Sequence, residues 1–274
     1  MESAWSGPHG GDSLRFDRRR YRTVWISDVH LGFRGCSAEY LLDFLRSTEC
    51  EYLYLVGDII DIWSMKKRPF WPQAHNDVVR AILGKAKHGT KVVFVPGNHD
   101  ELLRDYDGMV FGNIRIADRV VHTRADGRRF LVLHGDQFDG VVRSSGGLAL
   151  IGSTVYDWLL RANHWTNFVR RKLGFPYWSL SAFLKHKVKN AMQYISNFEH
   201  AVAWEASRMG VDGVVCGHIH RAEISTIGDV LYCNCGDWVE SCTALVEHGD
   251  GALEVLHWSD TVSSRKFLAN AAAA

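Results

Sequence analysis

Val92-Val93-Phe94-Val95-Pro96-Gly97-Asn98-His99-Asp100 is an apolar run followed at once by a turn and three polar side chains. A short apolar run stopped by Pro-Gly reads as a buried β-strand, and the polar residues follow where the chain leaves the sheet. The same arrangement recurs on both sides. Residues 23–26 precede Asp28-Val29-His30, and 52–56 precede Gly57-Asp58, with Asp61 just beyond. Residues 130–133 precede His134-Gly135-Asp136, and 213–216 precede Gly217-His218-Ile219-His220. Each strand delivers polar side chains to one edge of a sheet. Asp28, His30, Asp58, Asn98, His134, His218 and His220 converge there as potential ligands. Such a set can hold two divalent cations, and two adjacent cations suggest hydrolysis of a phosphate ester.

Around these strands the chain alternates. Residues 38–46 and 74–88 have helical patterns between the first three strands, a βαβ rhythm that predicts parallel pairing in a layered α/β domain. After Ile114 the pattern changes. Strands at 119–122 and 130–133 flank a hairpin-like turn at Ala125-Asp126-Gly127. Further strands are expected at 223–226, 230–233, 243–247 and 253–257, punctuated by Gly228-Asp229 and Gly249-Asp250-Gly251. The expected architecture is α/β: a four-layer α-β-β-α sandwich of two packed mixed sheets, with a helical cap insertion.

The organisation read from the chain is an N-terminal arm (1–20), a core in two pieces (21–139 and 208–260), the insertion (140–207) and a C-terminal tail (261–274). A chain of 274 residues, 46% hydrophobic and 23% charged, buries a substantial core. A net charge of +1 gives no overall attraction to nucleic acid, and no nucleic-acid partner is expected. The first twenty residues are rich in Gly and Arg and lack an apolar segment, so no signal peptide is expected. No apolar run approaches the roughly 20 residues that span a bilayer. Six cysteines without paired C-x-x-C spacing are read as reduced thiols. Cys233-Asn234-Cys235 lies in an expected strand and is read as pointing its two thiols apart.

The insertion differs in composition. Residues 140–207 hold eight basic and three acidic side chains, a net of +5, which leaves −4 for the rest of the chain. Apolar residues recur at helical spacing from Leu148 to Val169 and again from Leu184 to Val202, and Trp158, Trp165, Trp178 and Trp204 lie within this stretch. A basic and aromatic cap over the metal edge suits a substrate with phosphates and an apolar or planar part, or an anionic membrane surface. Arg170, Arg171 and Lys172 are its expected substrate-binding cations.

The five ordered blocks resemble the calcineurin-like metallophosphoesterase superfamily, whose pattern is D-x-H, G-D-x-x-D, G-N-H-[DE], H-G and G-H-x-H. The resemblance implies that Asp28, His30, Asp58 and His220 hold one ion and that Asp58, Asn98, His134 and His218 hold the other, with Asp58 shared. It implies that Asn98 also meets substrate and that His99 is a general acid for the leaving oxygen, oriented by Asp61. Asp61 could also simply cap the helix that follows. Asp100 and Asp136 are read as supporting or turn residues, and the remaining histidines as structural.

The G-D-I-I-D-I-W run (57–63), the early placement of the core and the helical insertion resemble UDP-2,3-diacylglucosamine hydrolases. That likeness implies cleavage of a UDP-linked diacylated sugar to UMP and a lipid monophosphate in lipid A synthesis, on the cytoplasmic face of the inner membrane, commonly with Mn²⁺. Fe²⁺, Zn²⁺ and Mg²⁺ also suit the donor set. The best-known branch has Arg where this chain has His99, which marks a divergent branch. A broader phosphodiesterase, protein phosphatase or nuclease of the same superfamily stays open, as does a binding module that has lost catalysis.

Overall fold

The computed structural model describes residues 18–140 and 189–262. Strands β1 (Arg19–Ile26), β2 (Thr48–Val56) and β3 (Lys91–Val95) pair in parallel, joined by helices α1 (Ala38–Ser47), α2 (Ile62–Lys67) and α3 (Gln73–Lys87). They are followed by β4 (Val110–Phe111), β5 (Ile114–Ile116), β6 (Val120–Thr123) and β7 (Arg129–Val132). Helix α4 (Lys189–Arg208) leads into β8 (Gly213–Cys216), β9 (Glu223–Ile227), β10 (Val230–Asn234), β11 (Thr243–Glu247) and β12 (Leu253–His257). The seven-stranded sheet runs β12-β11-β1-β2-β3-β5-β4 and the five-stranded sheet β6-β7-β8-β10-β9. Both are mixed: β11, β12 and β4 run antiparallel to their neighbours in the first, β6 and β9 in the second.

The period-two alternation of strand side chains sorts the apolar residues into three layers. Val24 and Ile26 of β1 and Leu53 and Leu55 of β2 face α1 and α3, with Leu41, Phe44, Val78 and Ile82. Trp25, Tyr54 and Val56 face the other way, against Phe130, Val132 and Val215 of the second sheet. Leu131, Val214 and Cys216 face outward again, onto Ile195, Phe198, Val202 and Ala206 of α4. Helices outside and sheets face to face are the four layers the sequence predicts.

Three details differ from the sequence reading. Strand β1 starts at Arg19, inside the expected arm, because Arg18 and Arg20 reach Glu49 on β2 at 3.3 and 3.1 Å. The stretch 189–207, expected in the cap, belongs to α4 and packs on the second sheet as its outer layer. Cys233 and Cys235 both face the layer between the sheets, since residues two apart on a strand share a face, and all six cysteines are free thiols. Most of the insertion, Arg170, Arg171 and Lys172 included, lies outside the described residues, as does most of the tail.

One buried polar cluster ties the sheets together. The Glu247 carboxylate on β11 accepts from Thr23 Oγ1 (2.7 Å), Arg22 (2.8 Å) and the Ala125 amide (2.8 Å) and lies 3.3 Å from His122 Nε2. His122 on β6 reaches back to Tyr54 Oη on β2 at 2.9 Å. Burial disfavours the Glu247 anion, but its hydrogen bonds with His122, Ala125, Thr23 and Arg22 outweigh burial and hold its pKa down at about 2, against an ordinary 4.5. A depressed folded-state pKa stabilises the fold above the unfolded value, and that stability is lost as pH falls toward the folded one. We expect Glu247→Gln to cost about 3 kcal/mol at pH 7 in urea unfolding, with the gap from the parent closing between pH 4.5 and pH 2. A gap that stays constant across that window would show that the carboxylate charge is not the source.

Candidate metal centre

Each strand of the site ends two or three residues before its polar block, and the turns that follow have an unusual backbone. Asp28, His30, Asp58, His218 and His220 all have left-handed φ angles, between 51° and 69°. Asp, Asn and His tolerate this region better than most residues, yet five such positions in one place cost strain of order 1–3 kcal/mol each. The turns persist because they are laced together. Asp28 N donates to Gly57 O (3.1 Å), His30 N to Asp58 O (2.8 Å), Leu31 N to Ile59 O (2.9 Å) and Asp61 N to Leu31 O (2.7 Å). Glycine is required at Gly97, where a Cβ would overlap the Asp58 carboxylate and lie 2.8 Å from His134 Cδ2.

The ligand atoms gather in overlapping groups. Asp28, His30 and His220 offer atoms within 4.8 Å of one another, and so do Asp58, His134 and His218. Asp58 Oδ2 lies between the two groups, 3.4 Å from His134 Nε2 and 3.9 Å from His30 Nε2. Asp28 Oδ1, His30 Nε2, Asn98 Oδ1 and His134 Nε2 are buried without any hydrogen bond. Four orphaned buried polar atoms in the turns that follow these strands would be costly unless a cation joins them. The mixed carboxylate, amide and imidazole donors fit a first-row divalent ion. Six of the seven residues predicted as ligands, Asp28, His30, His220, Asp58, His134 and His218, are gathered in two groups on either side of Asp58 Oδ2, and Asn98 stands in the turn after β3 with its Oδ1 buried and unpaired.

Charge follows the same layout. Burial opposes the charged form of His30, but the Asp61 hydrogen bond and the Asp58 and Asp28 anions outweigh it and lift its pKa to about 9. The balance of burial against Asp58 and Asp28 lifts His134 to about 10. Burial likewise disfavours the Asp28 anion, yet His220 and His134 hold it down at about 2. The histidines around Asp58 keep its carboxyl well below the usual range despite burial. The cavity thus holds ionised carboxylates and attracts positive charge, and protons compete with cations for its imidazole nitrogens.

His99 stands at the rim, with Nδ1 2.9 Å from Asp61 Oδ1 and Nε2 3.9 Å from Asp58 Oδ2. Asp61 does both things its position allowed. It caps α2 by accepting from Ser64 N (2.7 Å) and Ser64 Oγ (2.8 Å), and it also touches His99 and, at 3.3 Å, His30 Nδ1. The indole of Trp63 packs on the His99 ring at a centroid distance of 4.6 Å. Asp100 accepts from the amides of Gly97, Ile59 and Ile60 and so joins two of the turns. Burial, then the nearby Asp58 charge, raises its pKa to about 6. Asp136 is held by Arg104 at 2.7 Å and belongs to none of the ligand groups.

Two supporting residues are absent from the sequence reading. Asp139 Oδ1 lies 2.7 Å from His218 Nε2 and accepts from Tyr194 Oη of α4 at 2.7 Å. A carboxylate there requires the proton on Nε2 and leaves Nδ1 of His218 as the donor atom for an ion. Only the spacing of a second acid after His134-Gly135-Asp136 hints at Asp139, and nothing local marks Tyr194, which arrives from the far side of the insertion.

A family model described as calcineurin-like phosphoesterase matches residues 21–222. A UDP-2,3-diacylglucosamine hydrolase of Xanthomonas campestris pv. campestris is 27% identical over 257 residues, covering 85% of this chain and 98% of that protein. One from Xanthomonas oryzae pv. oryzae is 26% identical over 244 residues, 84% of this chain and 96% of the relative. A solved archaeal phosphodiesterase shares 13% identity over 85% of this chain and 98% of its own, with a TM-score of 0.40.

Asp58→Asn tests the shared ligand while keeping a residue that tolerates the left-handed turn. Inductively coupled plasma mass spectrometry of the variant should show one ion or fewer per chain where the parent carries two, and phosphodiester turnover should fall at least about 10²-fold. Two ions and parental turnover in the variant would remove Asp58 from the ligand set.

Proposed function

This chain belongs to the calcineurin-like phosphoesterase family, and we propose that its substrate is UDP-2,3-diacylglucosamine, cleaved at the pyrophosphate to UMP and a lipid monophosphate in lipid A synthesis. The observation that carries this reading is the pairing of two ligand groups through Asp58 with His99 beside them, in a chain that aligns over nearly the whole length of relatives named for that reaction.

Asp28, His30, Asp58 and His220 would hold one ion, and Asp58, Asn98, His134 and His218 the other, with Mn²⁺ the proposed occupant. When bound, the pair supplies Lewis acidity toward phosphate oxygens and water. The rest falls to the protein. Asp28 and Asp58 each bind a loop amide through one oxygen and present the other to the cavity: His218 N donates to Asp28 Oδ2 (3.0 Å) and His99 N to Asp58 Oδ1 (2.8 Å). The Val56 carbonyl, 3.0 Å from His134 Nδ1, fixes the tautomer that leaves Nε2 open. Water forms the new O–P bond and releases a proton to solvent, the bridging P–O bond breaks, and His99, held at Nδ1 by Asp61, delivers a proton from Nε2 to the leaving oxygen and is reprotonated from solvent. No Ser or Cys nucleophile is needed.

In the insertion, Arg170, Arg171 and Lys172 are proposed to meet the substrate's phosphates. The proposed location is the cytoplasmic surface of the inner membrane. Among the described residues no helix is long and apolar enough to cross a membrane.

His99→Ala should lower kcat by about 10²–10⁴-fold for a poor leaving group while both ions stay bound. The loss should shrink with an aryl phosphodiester, whose leaving group needs no proton. Loss of an ion instead would make His99 a ligand, which its 4.8 Å grouping with His30 and Asp58 permits. The substrate itself is tested by mass spectrometry of products from UDP-2,3-diacylglucosamine, soluble diesters and oligonucleotides. UMP and a lipid monophosphate formed with the highest kcat/KM support the assignment. A higher kcat/KM on a soluble diester or an oligonucleotide overturns it.

A further inference from the structure

Beside the metal edge stands a ledge whose composition the catalytic site does not account for. From Ile62 to Pro72 the chain reads I-W-S-M-K-K-R-P-F-W-P, with three cations and no acid. Trp63 and Trp71 are 41% and 42% exposed. Lys66, Lys67 and Arg68 are exposed and form no salt bridge among the described residues. Arg34, from the loop after His30, extends the ledge, its guanidinium 4.4 Å over the Phe70 ring. A helix C-terminus favours cations, which accounts for basic residues at the end of α2. It does not account for two indoles left exposed among them. Phe70 and Trp71 both pack edge-on against the buried His75 ring, at 5.6 and 5.5 Å. His75 is in turn fixed by the Gly32 amide at 3.0 Å, so the aromatic ledge is anchored to the loop that carries His30.

We propose that this ledge, Arg34 with residues 63–71, is a docking surface for a bilayer containing anionic lipid. Exposed tryptophans among cations that have no ion pair among the described residues match an interface in which indoles sit at headgroup depth and basic side chains meet lipid phosphates. The placement is functional because Trp63, exposed on the ledge, also packs on the His99 ring. A membrane met by the ledge lies at the mouth of the metal edge, where a lipid-linked substrate can enter without leaving the bilayer fully. The inference rests on the proposed lipid substrate for its purpose, but its physical basis is the ledge alone.

The test uses the full chain loaded with Mn²⁺, and sedimentation with vesicles of phosphatidylcholine or of phosphatidylcholine with 30% phosphatidylglycerol. The parent should bind the anionic vesicles and not the neutral ones. Lys66→Gln, Lys67→Gln and Arg68→Gln together should weaken that binding on the order of 100-fold, with unchanged circular dichroism and unchanged turnover of a soluble aryl phosphodiester. Trp71→Ser alone should weaken it without changing its salt dependence. Parent protein that ignores anionic vesicles, or a triple variant that sediments as the parent does, overturns the proposal. So does a triple variant that loses only oligonucleotide binding. Ledge-dependent binding to anionic vesicles by a protein that does not cleave UDP-2,3-diacylglucosamine would sink the substrate assignment and leave the docking surface standing.

Discussion

Asp58 divides its carboxylate between two tasks, and much of the structure follows from that division. One oxygen accepts from the His99 amide and fixes the turn after β3; the other is left between His30, His99 and His134. Asp28 does the same with the His218 amide and leaves its second oxygen without a hydrogen bond, 3.2 Å from His220 Nε2. A buried carboxylate with both oxygens satisfied by backbone would be an ordinary loop anchor. One with neither satisfied would be too costly to keep ionised. Half-satisfaction sets the turns and retains the donor atoms that cations need.

This requires two sheets, not one. Asp28, Asp58 and Asn98 come from strands of the seven-stranded sheet, His134 and His218 from strands of the five-stranded one. The contact from His134 Nδ1 to Val56 O crosses between them, so the register of the sandwich and the aim of a ligand are one fact. Trp25, Tyr54 and Phe130 in the layer between the sheets hold the spacing. Gly97 then lets the turns close to within contact of the Asp58 carboxylate. A shift of either sheet would spoil the packing and the donor set together.

The parts legible in the sequence are those with a local cause. Apolar runs ending in Gly or in an Asp or His block gave β3, β7 and β8 to within a residue or so, and β11 and β12 at both ends. The first half of β2 escaped because Thr48, Glu49, Cys50 and Glu51 carry no apolar pattern; they are strand because β1 pairs with them. Helix α2 is too short to show a period, and its start depends on the cap from Asp61. Strand β4 has only two residues, both exposed, and exists through its partner β5. The role of α4 was not legible either, because an apolar stripe tells that a helix is covered, not by what. At the site, side-chain identity was written in the motifs, whereas the left-handed turns and the Asp139–Tyr194 support arise from contacts between segments far apart in the chain.

The 2.7 Å bond from Tyr194 to Asp139 joins the chain where it departs for the insertion to the chain where it has returned. To the core, whatever runs between them is a loop already closed at its base. The entropic cost of such a loop grows only with the logarithm of its length, about 0.6 kcal/mol per doubling. Evolution can therefore lengthen, shorten or exchange that segment at little thermodynamic expense, while the carboxylates and imidazoles of the core stay fixed. The same core can thus serve as a reusable hydrolytic base whose intervening segment is free to vary.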